Sequence, residues 1–224
     1  LIIGQSGSGK SVLLKCMLGL FTPEKGIIKY DGKHYSEFTE DERKDLSKQI
    51  GMVFQGGALF DSMTVEENVM FPLKMFTKKQ HKENKERVKE VLNRVNLDGN
   101  EKKMPSEISG GMQKRVSIAR AIVNRPKYLF CDEPNSGLDP KTAIVIDNLI
   151  QEITHEYNIT TIIITHDMNS VLEIGEKIAF LKDGVLAWKG DKSQIFKTDD
   201  ETVTDFVYSS NLFQKVREAQ QQGL

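Results

Sequence analysis

No apolar run in this 224-residue chain approaches the roughly 18 residues that a membrane-spanning helix needs, and the mean hydropathy is −0.40. A membrane span is therefore not expected. Cysteine is scarce: Cys16 and Cys131 are the only two, too few for a disulfide framework. An excess of one charge is missing as well, since 31 Lys and Arg face 32 Asp and Glu, for a formal net charge of −1 and a pI near 6.5. Nucleic-acid binders carry a basic excess, so no nucleic-acid partner is expected. There is no basic-then-apolar leader, and the first residue is Leu1 rather than Met. The expectation is a soluble protein of a reducing compartment, neither a secreted precursor nor a complete gene product. Internal repeats are absent, and the only compositional bias is the Gln220-Gln-Gln222 end, expected to fray. What is present, 38% hydrophobic and 28% charged residues, suits one large domain or a core with a smaller appendage at about 150 residues per domain.

The hydrophobic pattern alternates between strand and helix. Leu1 to Ile3 reads as the tail of a buried strand, Gly4 to Gly9 as a glycine-serine turn, and Lys10 onward as a helix whose apolar positions are Val12, Leu13, Cys16, Met17 and Leu20. Gly26 to Tyr30 followed by Asp31-Gly32 predicts a short strand and a hairpin turn, and Ile50 to Gln55 a second β-rich run. From Met63 to Val123 the character changes. The charged stretch Lys78 to Asn84 leads into Val88, Val91, Leu92 and Val95 at helical spacing, which predicts an inserted helical subdomain. Tyr128 to Cys131 is an unbroken apolar run, as expected for a strand buried on both faces. A helix follows with Ala143, Ile146, Leu149, Ile150 and Ile153 in period, then a buried strand Thr160 to Thr165, a short helix Val171 to Ile174, and strands Lys177 to Leu181 and Val185 to Lys189 around Asp183-Gly184. The tail Asp199 to Leu224 is polar and partly amphipathic. Strands alternating with helices predict an α/β fold with a largely parallel sheet.

Three constellations carry chemistry. Gly4, Gln5, Ser6, Gly7, Ser8, Gly9, Lys10 and Ser11 match G-x-x-x-x-G-K-[ST] without a mismatch. Average residue usage gives that pattern by chance in roughly one per cent of chains this long, and here it sits between a strand and a helix, the context it requires. Glycines let the backbone form a nest of N–H groups for phosphate oxygens, Lys10 adds a point charge and Ser11 a Mg²⁺ ligand. Next, the strand Tyr128 to Cys131 delivers Asp132 and Glu133 to its C-terminal end. Two adjacent carboxylates there are often no more than a charge pair at a helix start; behind a phosphate loop they suit a Mg²⁺ shell and an attacking water. Cys131, in its apolar run, reads as a small buried hydrophobe rather than a reactive thiol. Third, Ile108-Ser109-Gly110-Gly111-Met112-Gln113-Lys114-Arg115 is a second anion-binding turn opening a helix.

With these motifs in this order, the chain resembles the ATP-binding subunit of ABC transporters, whose signature loop reads L-S-G-G-Q. The likeness covers essentially the whole chain. It implies an α/β P-loop NTPase of the ABC type, with a mainly parallel sheet, a small antiparallel β part and an inserted helical subdomain. Residues 1–60 and 124–190 would form the ATPase core, 61–123 the helical subdomain with the signature loop, and 191–224 a C-terminal tail. Gly4 to Ser11 look like the Walker A element, Gln55 falls where the Q-loop glutamine would reach the metal, and Asp132 looks like the Walker B carboxylate. Glu133 looks like the general base, Ser136-Gly137-Leu138-Asp139 like the D-loop, and His166 like the switch histidine that contacts the γ-phosphate. The resemblance implies ATP and Mg²⁺, the latter at Ser11, Gln55 and Asp132. It also implies a head-to-tail dimer in which each ATP lies between one subunit's Walker A loop and the other's Ser109, Gly110 and Gly111. The signature departs from the family at Ile108 and Met112, beside the phosphate-facing residues, and the family's adenine-stacking aromatic would lie before Leu1. Tyr30 is read as structural rather than as its replacement.

Gln55-Gly-Gly-Ala-Leu-Phe-Asp-Ser62, followed by Asn68-Val and Pro72-Leu73, resembles the ATPase of bacterial Mce-associated phospholipid transport, which maintains outer-membrane lipid asymmetry. That likeness implies a transmembrane permease docking near Gly56–Ser62, an Mce-type lipid-binding partner, and a peripheral place on the cytoplasmic face of the bacterial inner membrane. The same residues also fit a generic loop, as in amino-acid importers or lipoprotein exporters. A soluble ABC ATPase that remodels nucleic acid or ribosomes is a further alternative. Against it stand a single motif set, a short insert and a neutral charge.

Overall fold

The computed structural model describes residues 1–77 and 80–208, and within them the chain forms two compact units. The first joins Leu1–Leu13 to the described residues from Ile164 on. Here β1 (Ile2–Ile3) runs parallel to β6 (Thr160–Thr165) on one side, with Ile2 opposite Ile164 and Ile3 opposite Thr165. On its other side lies β7 (Ile178–Lys182), also parallel, with Ile3 opposite Phe180. β7 turns back into antiparallel β8 (Val185–Gly190) through Asp183-Gly184, whose φ values of 50° and 77° are those a two-residue primed turn requires. Helices α7 (Met168–Ile174), α8 (Lys192–Ile195) and α9 (Glu201–Val207) follow their strands. The core of this unit gathers Ile3, Val171, Phe180, Ile195, Val203 and Phe206, with the Phe180 and Phe206 rings 5.0 Å apart. The polar tail foreseen from Asp199 is thus apolar on one side as far as Val207; its residues 209–224 lie outside the described part of the chain.

The second unit, Leu14–Ile163, contains the remaining parallel strands. β4 (Ile50–Val53) pairs with β5 (Tyr128–Asp132) from Ile50 opposite Tyr128 to Val53 opposite Cys131, and β5 neighbours β6. Leu129, Phe130 and Cys131 are all buried, as an unbroken apolar run predicts for a strand covered on both faces. A two-stranded antiparallel hairpin, β2 (Lys29–Tyr30) with β3 (Lys33–His34), stands apart from the main sheet. Its strands are shorter than the predicted Gly26 to Tyr30. Between β4 and β5 in sequence come α3 (Val65–Phe76), α4 (His81–Arg94) and α5 (Gly110–Ile122), the inserted helical segment. Val88, Val91, Leu92 and Val95 are buried, and so are Ala143, Ile146, Leu149, Ile150 and Ile153 of α6 (Pro140–Glu156). The charged stretch is the start of α4, except for Lys78 and Lys79, which lie outside the described residues.

Caps explain where these helices begin. Thr64 and Glu67 exchange side-chain and backbone hydrogen bonds ahead of α3, and Asp139 accepts from the Lys141 and Thr142 amides ahead of α6, with Pro140 at its first position. Two expectations need correction. In α1 (Lys10–Met17) the apolar side chain that is buried is Leu14, while Val12 and Leu13 are exposed and Leu20 lies beyond the helix end, also exposed. A helix not anticipated at all, α2 (Glu40–Lys48), has only Leu46 buried, so apolar periodicity could not reveal it. α5 lies close on β4: a Cβ at Gly51 would sit 2.4 Å from the Ala121 carbonyl oxygen, so only glycine allows this approach. The α/β architecture with a mainly parallel sheet, a small antiparallel part and a helical insertion is the one adopted.

Candidate functional site

In the first unit, register alone brings two candidate elements to one edge. Ile3 and Thr165 are parallel partners, and the next residues are Gly4, which opens the glycine loop, and His166, which is exposed. The loop from Gly4 to Gly9 needs its glycines for specific reasons. At Gly4, φ is +151° and a Cβ would lie 2.2 Å from the Leu181 carbonyl oxygen; no side chain fits. Lys10 opens α1 as a buried residue, and its ammonium donates to the Gly4 and Gln5 carbonyls at 2.8 and 2.9 Å, curling the side chain back over the loop. The Gly184 amide bonds the Ser8 carbonyl at 3.2 Å, which ties the loop to the β7–β8 turn. Ser8 is 5% exposed, and its Oγ has no hydrogen-bond partner among the described residues. Gln5, Ser6, Gly7 and Ser11 are exposed. A positively charged loop with an orphaned buried hydroxyl is chemically matched to an anion rich in acceptor oxygens, so the residues present fit a phosphate.

The second unit repeats the arrangement. Val53, the last residue of β4, is the parallel partner of Cys131; Gln55 follows two residues after β4, Asp132 is the last residue of β5, and Glu133 comes directly after it. Gln55 is exposed, and its Nε2 donates to Ser136 Oγ at 3.4 Å. The Ser136 amide in turn donates to the Glu133 carbonyl at 3.1 Å. Glu133 is buried, and its φ of 48° places a non-glycine residue in the left-handed region. That conformation costs roughly 1–2 kcal/mol for an L-residue and concentrates at functional sites. Burial, reinforced by the nearby Asp147 and Asp132 carboxylates, pushes the Cys131 thiol far above the ordinary cysteine range, in keeping with an inert buried residue. Ser109 caps α5 by accepting from the Met112 amide at 3.3 Å; Ser109 and Gly110 are exposed and Gly111 is half-buried, its Cα facing the Thr142 methyl. Ile108, the departure from the signature pattern, is buried. Among the described residues no three His, Cys, Asp or Glu cluster as a metal cage. Ser11 in the first unit, and Gln55 and Asp132 in the second, each carry a hard oxygen of the kind that Mg²⁺ takes alongside substrate phosphates.

The sequence did not single out the residues that hold the loop after Gln55. Lys114, Ser117 and Arg120 of α5 all donate to carbonyls of residues 55–58. Burial holds the Lys114 ammonium below its ordinary value against the attraction of the Glu133 carboxylate, and burial likewise lowers Arg120. No residue pattern marks these three, since α5 also carries Gln113 and Arg115 and the acceptors are backbone carbonyls. Tyr30 is structural, as expected: it is buried, its hydroxyl donates to the Met17 carbonyl at 2.5 Å, and its ring meets Tyr128 edge-on at 5.0 Å.

Known proteins resemble this chain in sequence and fold. The ABC transporter family model matches residues 1–136. The "Probable ribonucleotide transport ATP-binding protein mkl" of Mycobacterium leprae is 40% identical over 92% of this chain and 59% of its own length. The "Methionine import ATP-binding protein MetN 1" of Oceanobacillus iheyensis is 42% identical over 95% of this chain and 63% of its own. The chain thus spans about three fifths of the length of these curated relatives. Among solved structures, the ATP-binding cassette MJ0796, a dimer bound to ADP and Pi, superposes with a TM-score of 0.76 at 34% identity, covering 85% of this chain and 84% of its own. CbiO1 from Clostridium perfringens, part of the transporter complex cbiONQ, gives a TM-score of 0.80 at 29% identity, covering 100% of this chain and 86% of its own. The chain belongs to the ABC transporter family.

Proposed function

We propose that this domain binds ATP on the loop Gly4 to Ser11 and hydrolyses it, and that hydrolysis drives a membrane transporter. The observation that carries the reading is the loop itself, with the buried Lys10 ammonium folded over its carbonyls and the Ser8 hydroxyl left for an external acceptor. Backbone N–H groups of Gln5, Ser6, Gly7, Ser8 and Gly9 cradle the phosphates, and Lys10 supplies positive charge as negative charge shifts to the leaving oxygens. Glu133 orients the attacking water and accepts its proton, and His166 contacts the γ-phosphate oxygens. When bound, Mg²⁺ neutralises phosphate charge, with Ser11, Asp132 and Gln55 as its protein-side partners. The turn Ser109, Gly110 and Gly111 serves the nucleotide of a second copy; the MJ0796 cassette bound to ADP and Pi is likewise a dimer.

The permease would dock beside Gly56–Ser62. There, Ile50, Met52, Phe60, Phe71, Met75 and Phe76 line an apolar groove of about 410 Å³. Phe60 and Met75 are exposed large hydrophobics at its rim, the kind of surface that a partner helix covers. No helix among the described residues is long and apolar enough to cross a membrane, so such a partner would bring the span, and this subunit would sit peripherally on the cytoplasmic face of a bacterial inner membrane. For the cargo we keep the phospholipid reading, with an Mce-type lipid carrier as further partner, on the strength of Gly57 to Ser62. The names of the two relatives favour a second reading, transport of a small solute such as a ribonucleotide or methionine.

The catalytic reading is tested with Glu133→Gln, which should bind ATP and stay dimeric without turnover; undiminished hydrolysis would refute it. The cargo and docking readings are tested by isolating the full-length protein in mild detergent and identifying the membrane subunit it brings down. Leu59→Ala and Phe60→Ala should weaken that association while leaving ATP binding intact. A solute permease with no lipid carrier would overturn the phospholipid reading.

A further inference from the structure

Helix α5 is buried almost all round, with Val116, Ile118, Ala119, Ala121 and Ile122 in the interior. Three polar side chains interrupt it at steps of three residues, which places them along one stripe of the helix. All three are buried, and all donate to the same four-residue loop. Lys114 Nζ bonds the Gln55 carbonyl. Ser117 Oγ bonds the Gly57 carbonyl at 3.1 Å, and Arg120 reaches the Gly57 and Ala58 carbonyls at 2.7 Å each. The loop needs this support. Gly57 and Ala58 are consecutive residues at positive φ, 74° and 47°, and alanine in that region is strained. Without the helix, the Gly57 carbonyl would be a buried acceptor lacking two charged or hydroxyl donors. The guanidinium of Arg120 also lies over the Phe60 ring, 5.9 Å from its centre, which extends the contact toward the apolar groove.

We propose that Lys114, Ser117 and Arg120 form a rigid ladder that fixes the backbone of Gln55–Ala58 to α5, with Lys114 as the positioning residue for Gln55. The Ser109 turn begins the same helix, so a displacement of α5 carries the Gln55 backbone with it. Gln55 passes the displacement on through its hydrogen bond to Ser136, whose amide is bonded to the Glu133 carbonyl. Helix, loop and base-bearing turn then move as one hydrogen-bonded piece. Lys114 touches no reacting atom in this scheme; it acts through Gln55. The kinetic part rests on the ATPase reading given above, and the structural part does not.

The experiment compares the full-length wild type with Lys114→Met, Lys114→Arg and Ser117→Ala. Hydrogen exchange is followed first, without nucleotide, at the Gly57 amide, which bonds the Phe54 carbonyl at 2.8 Å. Lys114→Met should exchange there about tenfold faster while α5 keeps its protection, and Lys114→Arg should return to the wild-type rate. Ser117→Ala, a smaller change, should accelerate the same amide if the larger variant does not fold. In ATP hydrolysis, Lys114→Met should lower kcat by about tenfold with KM for ATP unchanged, since the Lys10 loop is intact, and Lys114→Arg should restore it. Unchanged exchange at Gly57 in both Lys114→Met and Ser117→Ala overturns the ladder. Faster exchange with an unaltered kcat overturns the positioning role. A wild type that hydrolyses no ATP refutes the ATPase reading instead, and the exchange result still decides the ladder.

Discussion

Ile3 lies opposite Thr165 in parallel register, so the chain leaves two neighbouring strands at one edge, as Gly4 on the first and His166 on the second. Val53 and Cys131 stand in the same relation, with Gln55 and Asp132 just beyond them. Parallel strands put all their C-terminal ends on one side, and in open α/β sheets ligands bind outside those ends. The candidate residues are scattered over more than 150 positions of sequence, yet within each unit a pair of them needs no more than strand direction and a one- or two-residue step to come to the same strand ends.

Replacing Gly4 by alanine should be far more costly than replacing Gly7. At Gly4 the new Cβ meets the Leu181 carbonyl oxygen at 2.2 Å and the Ser8 hydroxyl at 2.8 Å, besides φ of +151°. At Gly7 it enters open space and bears only the strain of φ +82°. We expect a loss of about 3 kcal/mol for Gly4→Ala and about 1 kcal/mol for Gly7→Ala in urea unfolding. Equal losses would mean that the close approach of the loop to β7 is not real in solution.

Glu133 trades stability for position. Its left-handed backbone is a strain that glycine does not feel, although glycine also loses more chain entropy on folding. Glu133→Gly should therefore be more stable than Glu133→Gln by about 0.5–1 kcal/mol, while both lose at least about a hundredfold in kcat. Thermal unfolding of the two variants beside their ATPase rates decides the matter. A Glu133→Gly protein less stable than Glu133→Gln would remove the strain.

How much of this was legible depended on whether a residue's partner lies nearby in sequence. Tyr128 to Cys131 and Thr160 to Thr165 are continuous apolar or β-branched runs, and Ala143 to Ile153 keeps a clean helical period, so local pattern sufficed. The phosphate loop was legible because its chemistry is local, glycines and a lysine within eight residues. Helix α2 was not, since EDERKDLSK buries only Leu46; its one sequence signal was the Thr39 to Glu42 capping box. Leu14 was passed over because Val12 and Leu13 also fit a helical stripe, and only packing tells which side is covered. Lys114, Ser117 and Arg120 were invisible for a different reason. Their partners lie about 60 residues away and are backbone carbonyls, which no residue pattern marks.

Tyr30 should give the protein an alkaline signature. Burial, together with the neighbouring Tyr35 and Tyr128, pushes its hydroxyl up to about 12, whereas an unfolded tyrosine ionises near 10. Between those values the unfolded chain has lost the proton and the folded one has kept it. The Tyr30 contribution is thus whole below pH 10 and falls away as pH rises toward 12. Tyr30→Phe lacks this slope, and without the bond to the Met17 carbonyl it should be about 1 kcal/mol less stable at neutral pH. Urea unfolding of both proteins from pH 7 to 12 should show the gap between them narrowing above pH 10. A gap that stays constant would contradict the raised value.

Asn68 holds the segment between the groove and α3, and it should be the most sensitive polar position outside the nucleotide loop. It is fully buried, accepts from the Phe60 amide at 2.8 Å, and donates to the carbonyls of Phe60, Met63 and Thr64 at 3.0–3.1 Å. One side chain thereby closes the loop that presents Phe60. Asn68→Ala leaves the Phe60 amide and its carbonyl without that partner and opens a small cavity, for an expected loss of about 3 kcal/mol. Asn68→Asp keeps an acceptor for the Phe60 amide but removes the donors and buries a carboxylate, so it should be no better tolerated at neutral pH and should recover part of its stability as the pH drops toward 4. Denaturant unfolding at pH 7 and pH 4.5 separates the two variants. If Asn68→Asp gains nothing on acidification, the carboxylate is not buried there and the loop has opened to water around it.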